Sequence, residues 1–97
     1  MTQTVVVEGR ITVNNSDEMR RNLLAALRSK PAQITVELSQ VTYMDSSALA
    51  TLLEAVRIAR RQRTRLVLAG VSGQPRNLFE IGEIDRLFEF AAQERGA

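Results

Sequence analysis

Ninety-seven residues, 44% hydrophobic and 25% charged with a formal net charge of +2, make one ordinary globular domain with a modest core and no room for a second. The chain has neither histidine nor cysteine, which removes disulfide staples, thiolate metal sites, the usual general base and the commonest metal ligand. No apolar run approaches the roughly 20 residues of a membrane helix, and the polar start MTQT lacks the apolar core of a signal peptide; a cytoplasmic protein without membrane insertion is expected.

In chain order, TVVVEGRITV (Thr4 to Val13) is rich in β-branched residues and reads as a strand, bent or bulged at Gly9. NSDEMRRNLLAALRSKP then reads as a short amphipathic helix. Asn15 or Ser16 can cap it, Asp17 and Glu18 sit in its first turn, and Met19, Leu23, Ala26 and Leu27 recur at helical spacing until Arg28, Lys30 and Pro31 end it. QITVEL (Gln33 to Leu38) alternates Ile34, Val36 and Leu38 against Thr35 and Glu37, a second strand.

Beyond the short apolar segment Val41 to Met44, the stripe Leu49, Leu52, Leu53, Val56 and Ala59 predicts a second helix from about Ser46 to Arg61. RLVLAG (Arg65 to Gly70) is a third strand. A Gly/Ser turn follows, then a short helix around Pro75 to Ile81, started by the proline and ended at Gly82, and a last apolar segment, Leu87 to Phe90. Leu78, Phe79, Ile81, Ile84, Leu87, Phe88 and Phe90 are read as core and helix-packing residues. This alternation predicts an α/β fold, parallel wherever a helix crosses over. A single domain over 1–97 is expected, its core over about 4–90 with a tail at 91–97, built on a mixed sheet of about four strands in an order that alternation leaves open.

The basic residues are twelve arginines and one lysine, with Arg57, Arg60, Arg61, Arg63 and Arg65 crowded together. Positive charge at a helix C-terminus complements the dipole, and no aromatics are interleaved for stacking on bases. The cluster reads as a solvated face, with an acidic protein or lipid surface as the functional alternative and no direct nucleic acid partner.

YMDSSALATLLEAV (Tyr43 to Val56) places Asp45, Ser46 and Ser47 at the mouth of the second helix, where first-turn amides lack partners and the dipole end is positive. The structural reading is an N-cap in which a serine or aspartate oxygen accepts from a first-turn amide. Nucleophilic catalysis would need a base beside the serine; histidine is absent, Lys30 lies in another loop, and no G-x-S-x-G elbow exists. Phosphorylation is the third reading, since a helix start tolerates added negative charge while a partner packed on the turn would not.

These residues resemble the STAS domain, the family of bacterial anti-sigma factor antagonists. The likeness covers about Thr4 to Phe90 and rests on Leu38-Ser39, a short apolar segment, then Asp45-Ser46-Ser47 opening the helix, supported by Leu78-Phe79-x-x-Gly82-x-x-x-x-Leu87-Phe88. It implies a small α/β domain with no enzymatic activity and no cofactor or metal. It implies Ser46 as phosphoacceptor, Asp45 positioning the hydroxyl and shaping the surface, and Ser47 as a neighbouring contact or cap. The functional alternative to the core reading of the C-terminal apolar residues is that one or two of them, with Ala48 and Thr51, form the apolar centre of a partner-binding patch beside Ser46. The implied partners are an anti-sigma factor that is also a serine kinase, and a serine phosphatase; a monomer is expected.

Two positions depart from the family's pattern. Ala48 stands where glycine is usual, adding a methyl toward a docking partner, and Gly9-Arg10-Ile11-Thr12 replaces a frequent Gly-Glu-Leu-Asp, removing two negative charges near the kinase surface. They leave open a different kinase, weaker phosphorylation or none. An edge strand common in relatives is expected to be missing, because the first recognisable strand lies close to residue 1. A branch of the family supplies the alternative function, a cytoplasmic accessory subunit of a phospholipid-transport ABC transporter.

Overall fold

The structure is a computed structural model that describes residues 1–92; of the expected tail, 93–97 lie outside the described residues. The elements are β1 (Thr2–Ile11), α1 (Ser16–Arg28), β2 (Gln33–Met44), α2 (Ser46–Gln62), β3 (Arg65–Ala69), α3 (Gly73–Ile81), a 3-10 turn at Asp85–Leu87 and β4 (Glu89–Phe90). The sheet runs β1-β2-β3-β4, and all three pairings are parallel. It is therefore not the mixed sheet expected. Every connection contains a helix that carries the chain back to the same end, and right-handed crossovers stepping one way keep the helices on one face.

β2 is one strand of 12 residues, where the alternation suggested a strand and a separate segment. Between the pairs Val6↔Glu37 and Glu8↔Gln40, and again between Gly9↔Val41 and Arg10↔Tyr43, β2 advances one residue more than β1. These bulges put Ser39 and Gln40 side by side in solvent and break the period of two that a continuous strand would show. α3 starts at Gly73 rather than Pro75, so the proline sits inside its first turn.

One apolar cluster joins the helices to alternate strand residues, with Ile34, Val36, Ala48, Leu52 and Phe79 at 0% exposure. Phe79 packs edge-on against Phe88 and Phe90, its ring centroid 5.0 and 5.6 Å from theirs. Leu78, Ile84 and Phe90 are partly buried against the cluster. Ile81 and Leu87 are not core residues as expected, being 80% and 40% exposed: Ile81 is the last residue of α3 and Leu87 the last of the 3-10 turn.

The ends of α1 and α2 are tied together. Gln62 Nε2 donates to the Leu27 carbonyl (2.8 Å), and buried Thr64 Oγ1 donates to the Pro31 carbonyl (2.8 Å). Arg63 closes α2 in the left-handed region at φ 62, its N–H on the Ala59 and Arg60 carbonyls. That conformation penalises any residue with a Cβ. Arg63→Gly should therefore stabilise the fold by about 0.5–1 kcal/mol, read as a higher urea midpoint at unchanged slope; a lower midpoint would contradict the cap geometry.

Candidate functional site: the turn before the second helix

The C-terminal ends of β1 and β2 meet at Asp45. Its backbone is extended (φ −108, ψ −175), and it is the N-cap of α2. Oδ1 accepts from the Ser47 and Ala48 N–H groups (2.9 and 3.3 Å) and from the Ser47 hydroxyl (2.5 Å). Oδ2 accepts from the Val13 N–H (3.0 Å), while the Asp45 N–H donates to the Ile11 carbonyl (3.1 Å). One carboxylate thus caps α2 and ties down the β1–α1 turn. The cap is the aspartate, and Ser47 supports it by donating its hydroxyl.

The β1–α1 turn has its own fastening. Asn15 holds the N-cap position of α1, but its side chain makes no cap bond. Instead Oδ1 accepts from the Thr12 N–H (2.8 Å) and Nδ2 donates to the Arg10 carbonyl (2.8 Å). Arg10 lies over the Tyr43 ring, 4.4 Å from its centroid, so the departure from the family's acidic pair places a cation beside the strand that leads into Asp45.

A third brace comes from α3. β3 pairs with β2 only as far as Glu37↔Ala69, leaving Met44 without a β3 neighbour. The Gln74 side chain takes that place: Oε1 accepts from the Met44 N–H (2.8 Å) and Nε2 donates to the Met44 carbonyl (2.9 Å). An amide can do this because it carries donor and acceptor in the spacing of a peptide group. Gly70 lets the loop pass here, at φ +73 and with an added Cβ only 2.7 Å from Glu37 Oε2 and Ser39 Cβ. Gln74 and Val13 were not singled out from the sequence, because one is a lone amide that reads as part of the turn before Pro75 and the other acts through its backbone.

The five expected site residues do not share one surface. Ser46 is exposed, and its hydroxyl makes no hydrogen bond to another described residue; Asp45 and Ser47 are half-buried. Ala48 and Thr51 are buried at 0% and 8% exposure, and Thr51 Oγ1 donates to the Ser47 carbonyl (3.0 Å). These two support the turn from beneath and are not available to a partner, because the inner face of the helix carries them. The Ala48 methyl likewise packs into the core rather than toward a docking protein. Exposed Arg57, Arg60, Arg61 and Arg63 lie at the far end of α2; Arg61 is about 22 Å along the axis from Ser46.

The Ser47 hydroxyl, and then the Val13, Ala48 and Ser47 N–H groups, hold the Asp45 carboxyl below its ordinary range against the opposing effect of burial. A depressed folded-state pKa means stability that is present above the unfolded value, near 3.9, and lost as pH falls through the lowered one. Asp45→Ala should lower Tm at neutral pH by roughly 4–8 °C, the shift from losing one cap in a domain of this size. The gap to wild type should narrow below about pH 4. Glu54 and Glu89, lowered by their Arg20 and Arg65 partners, titrate the same way in both proteins and cancel in the difference. Thermal melts from neutral pH downward test this, and a gap independent of pH would remove the carboxylate from the account.

Residues 1–89 match the family model described as Mlab, STAS domain. The anti-sigma-B factor antagonist of Listeria monocytogenes is 27% identical over 85 residues, covering 88% of this chain and 75% of that protein. The Bacillus subtilis protein YvdB, assigned by name to the sulfate transporters, is 29% identical over 72 residues; the match covers 74% of this chain but only 14% of YvdB. Among solved structures, the anti-sigma factor antagonist SpoIIAA in its unphosphorylated form superimposes with a TM-score of 0.70 at 17% identity, covering 94% of this chain and 79% of that one. A sulfate transporter family protein of Wolinella succinogenes gives 0.72 at 17% identity, over 92% and 75% of the two chains. With nearly its whole length matched and the fold shared, this chain belongs to the STAS domain family.

Proposed function

We propose that this chain is an anti-sigma factor antagonist of the cytoplasm, acting by association rather than catalysis. It binds an anti-sigma factor that is also a serine kinase while Ser46 is unmodified, and releases it once Ser46 carries a phosphate that a serine phosphatase later removes. The observation that carries this reading is the division of labour at the turn: Asp45 and Ser47 are consumed in capping α2, while Ser46, next to them, is exposed and its hydroxyl is unbonded among the described residues.

Chemistry supports the assignment. A phosphoryl group brings −1.5 to −2 charges to a helix start whose dipole accommodates them, so the fold survives modification. A partner seated over the turn would meet that charge at close range. Val13, 74% exposed and bonded through its backbone to Asp45, supplies the apolar contact that buried Ala48 and Thr51 cannot. The transporter-named relatives show that the fold alone does not select this role; the reading therefore rests on the Ser46 hydroxyl.

A second reading is favoured by the family model's Mlab description and by the exposed arginines on the last turns of α2. In it the chain is an accessory subunit seated on the ATPase of a phospholipid-transport ABC transporter, with Ser46 unmodified. The two separate by intact-mass measurement with site mapping on protein from its own cells, growing and stressed. Phosphate at Ser46 with condition-dependent occupancy is expected; its persistent absence, with a transporter ATPase co-purifying, would replace the first reading by the second.

A further inference from the structure

We infer that a second copy of this chain pairs antiparallel along the free edge of β1, joining two four-stranded sheets into one of eight strands. Neither charge nor the lack of heptads predicts this; both point to the monomer expected from sequence. The argument starts from what an edge strand exposes: a row of backbone N–H and C=O groups that templates another strand unless something blunts it.

Proteins blunt edges with short strands, proline, lysine, inward charge or a bulge. β4, one edge of this sheet, is two residues long and carries the Arg65–Glu89 ion pair. β1, the other edge, has ten residues, and from Thr2 to Val7 it contains no proline and no charge. The bulges in the β1–β2 ladder consume extra residues of β2, so β1 stays in step from Thr2 to Glu8, before the positive φ of Gly9. Along this stretch Val6 is 56% exposed, and a groove of about 250 Å³, partly lined by Val7, Ile11 and Met19, runs between β1 and α1. Threonine and valine are also the residue types that favour a pleated pairing.

The occupant is a second copy because the stretch is complementary to itself. A two-fold axis normal to the sheet keeps each side chain on its own face, so facing residues must share parity. Centring the axis on Val5 uses all of Thr2 to Glu8: Val5 faces itself, Thr4 faces Val6, Gln3 faces Val7 and Thr2 faces Glu8. No two like charges are opposed, and exposed Val6 gains a cross-strand neighbour. The assembly closes at two chains, because the outer edges left are both two-residue β4 strands. Strands run antiparallel across the axis, so the two Ser46 turns point away from each other and each stays accessible.

The test is the mass of the full chain by light scattering and sedimentation across a wide concentration range, for wild type and two variants at exposed positions. Thr4→Lys/Val6→Lys sets lysine against lysine twice across the axis and should weaken the dimer on the order of tenfold or more, with an unchanged far-UV spectrum. Thr4→Lys/Val6→Glu sets lysine against glutamate and should restore it. A wild type that stays monomeric throughout, as it would if the edge takes a strand from another protein, overturns the inference. So does a dimer that ignores both variants, or one that both disrupt alike.

Discussion

Ser46→Asp should weaken binding to the anti-sigma kinase on the order of 100-fold, and Ser46→Ala should bind close to wild type. The expectation follows from where the hydroxyl sits under the proposed function. It projects from the first residue of α2 into solvent without a bonding partner among the described residues, so neither substitution removes a hydrogen bond seen there. What changes is the charge a partner must cover, and an unpaired charge forced into an interface costs about 2–5 kcal/mol. Phosphate carries more charge than aspartate and should disrupt further. Calorimetric titration of both variants and of the phosphorylated protein measures the effect. Equal affinity for the aspartate and alanine variants would end the switch model while leaving the STAS assignment untouched.

Phe79→Ala should destabilise the fold by about 3–5 kcal/mol, a large share of the 5–15 kcal/mol typical of a domain. Phe79 is fully buried and packs edge-on against both Phe88 and Phe90, so its removal leaves a cavity and takes both edge-on contacts with it. The same ring anchors α3, whose Gln74 is the only side chain hydrogen-bonded to the Met44 backbone among the described residues. Loosening α3 should therefore loosen the residue before Asp45 as well. Urea unfolding gives the stability, and hydrogen exchange at the Met44 amide tests the coupling. A loss under about 1.5 kcal/mol would mean that the site collapses as an isosteric swap would allow.

The elements most legible in the sequence were those with a sustained period. α2 announced itself through Leu52, Val56 and Ala59, all buried, and its predicted span from Ser46 to Arg61 misses the observed end by one residue. β2 was divided because its bulges displace the alternation at Ser39 and Gln40, and a bulge exists only relative to a neighbouring strand. Ile81 looked like core because hydrophobicity is a property of the residue, whereas its 80% exposure comes from the point at which α3 stops.

The candidate site divides along the same line. Composition by itself excluded histidine and thiol chemistry, and the order Asp45-Ser46-Ser47 before an apolar stripe was enough to locate a helix start and two hydroxyls there, since capping is a local interaction between residues a few positions apart. Which hydroxyl is free, which oxygen makes the cap, and that Ala48 and Thr51 face inward were decided by tertiary structure. Those outcomes depend on the Val13 amide, 32 positions from Asp45, and the Gln74 amide, 30 from Met44, groups that only the parallel sheet brings to one end of the molecule.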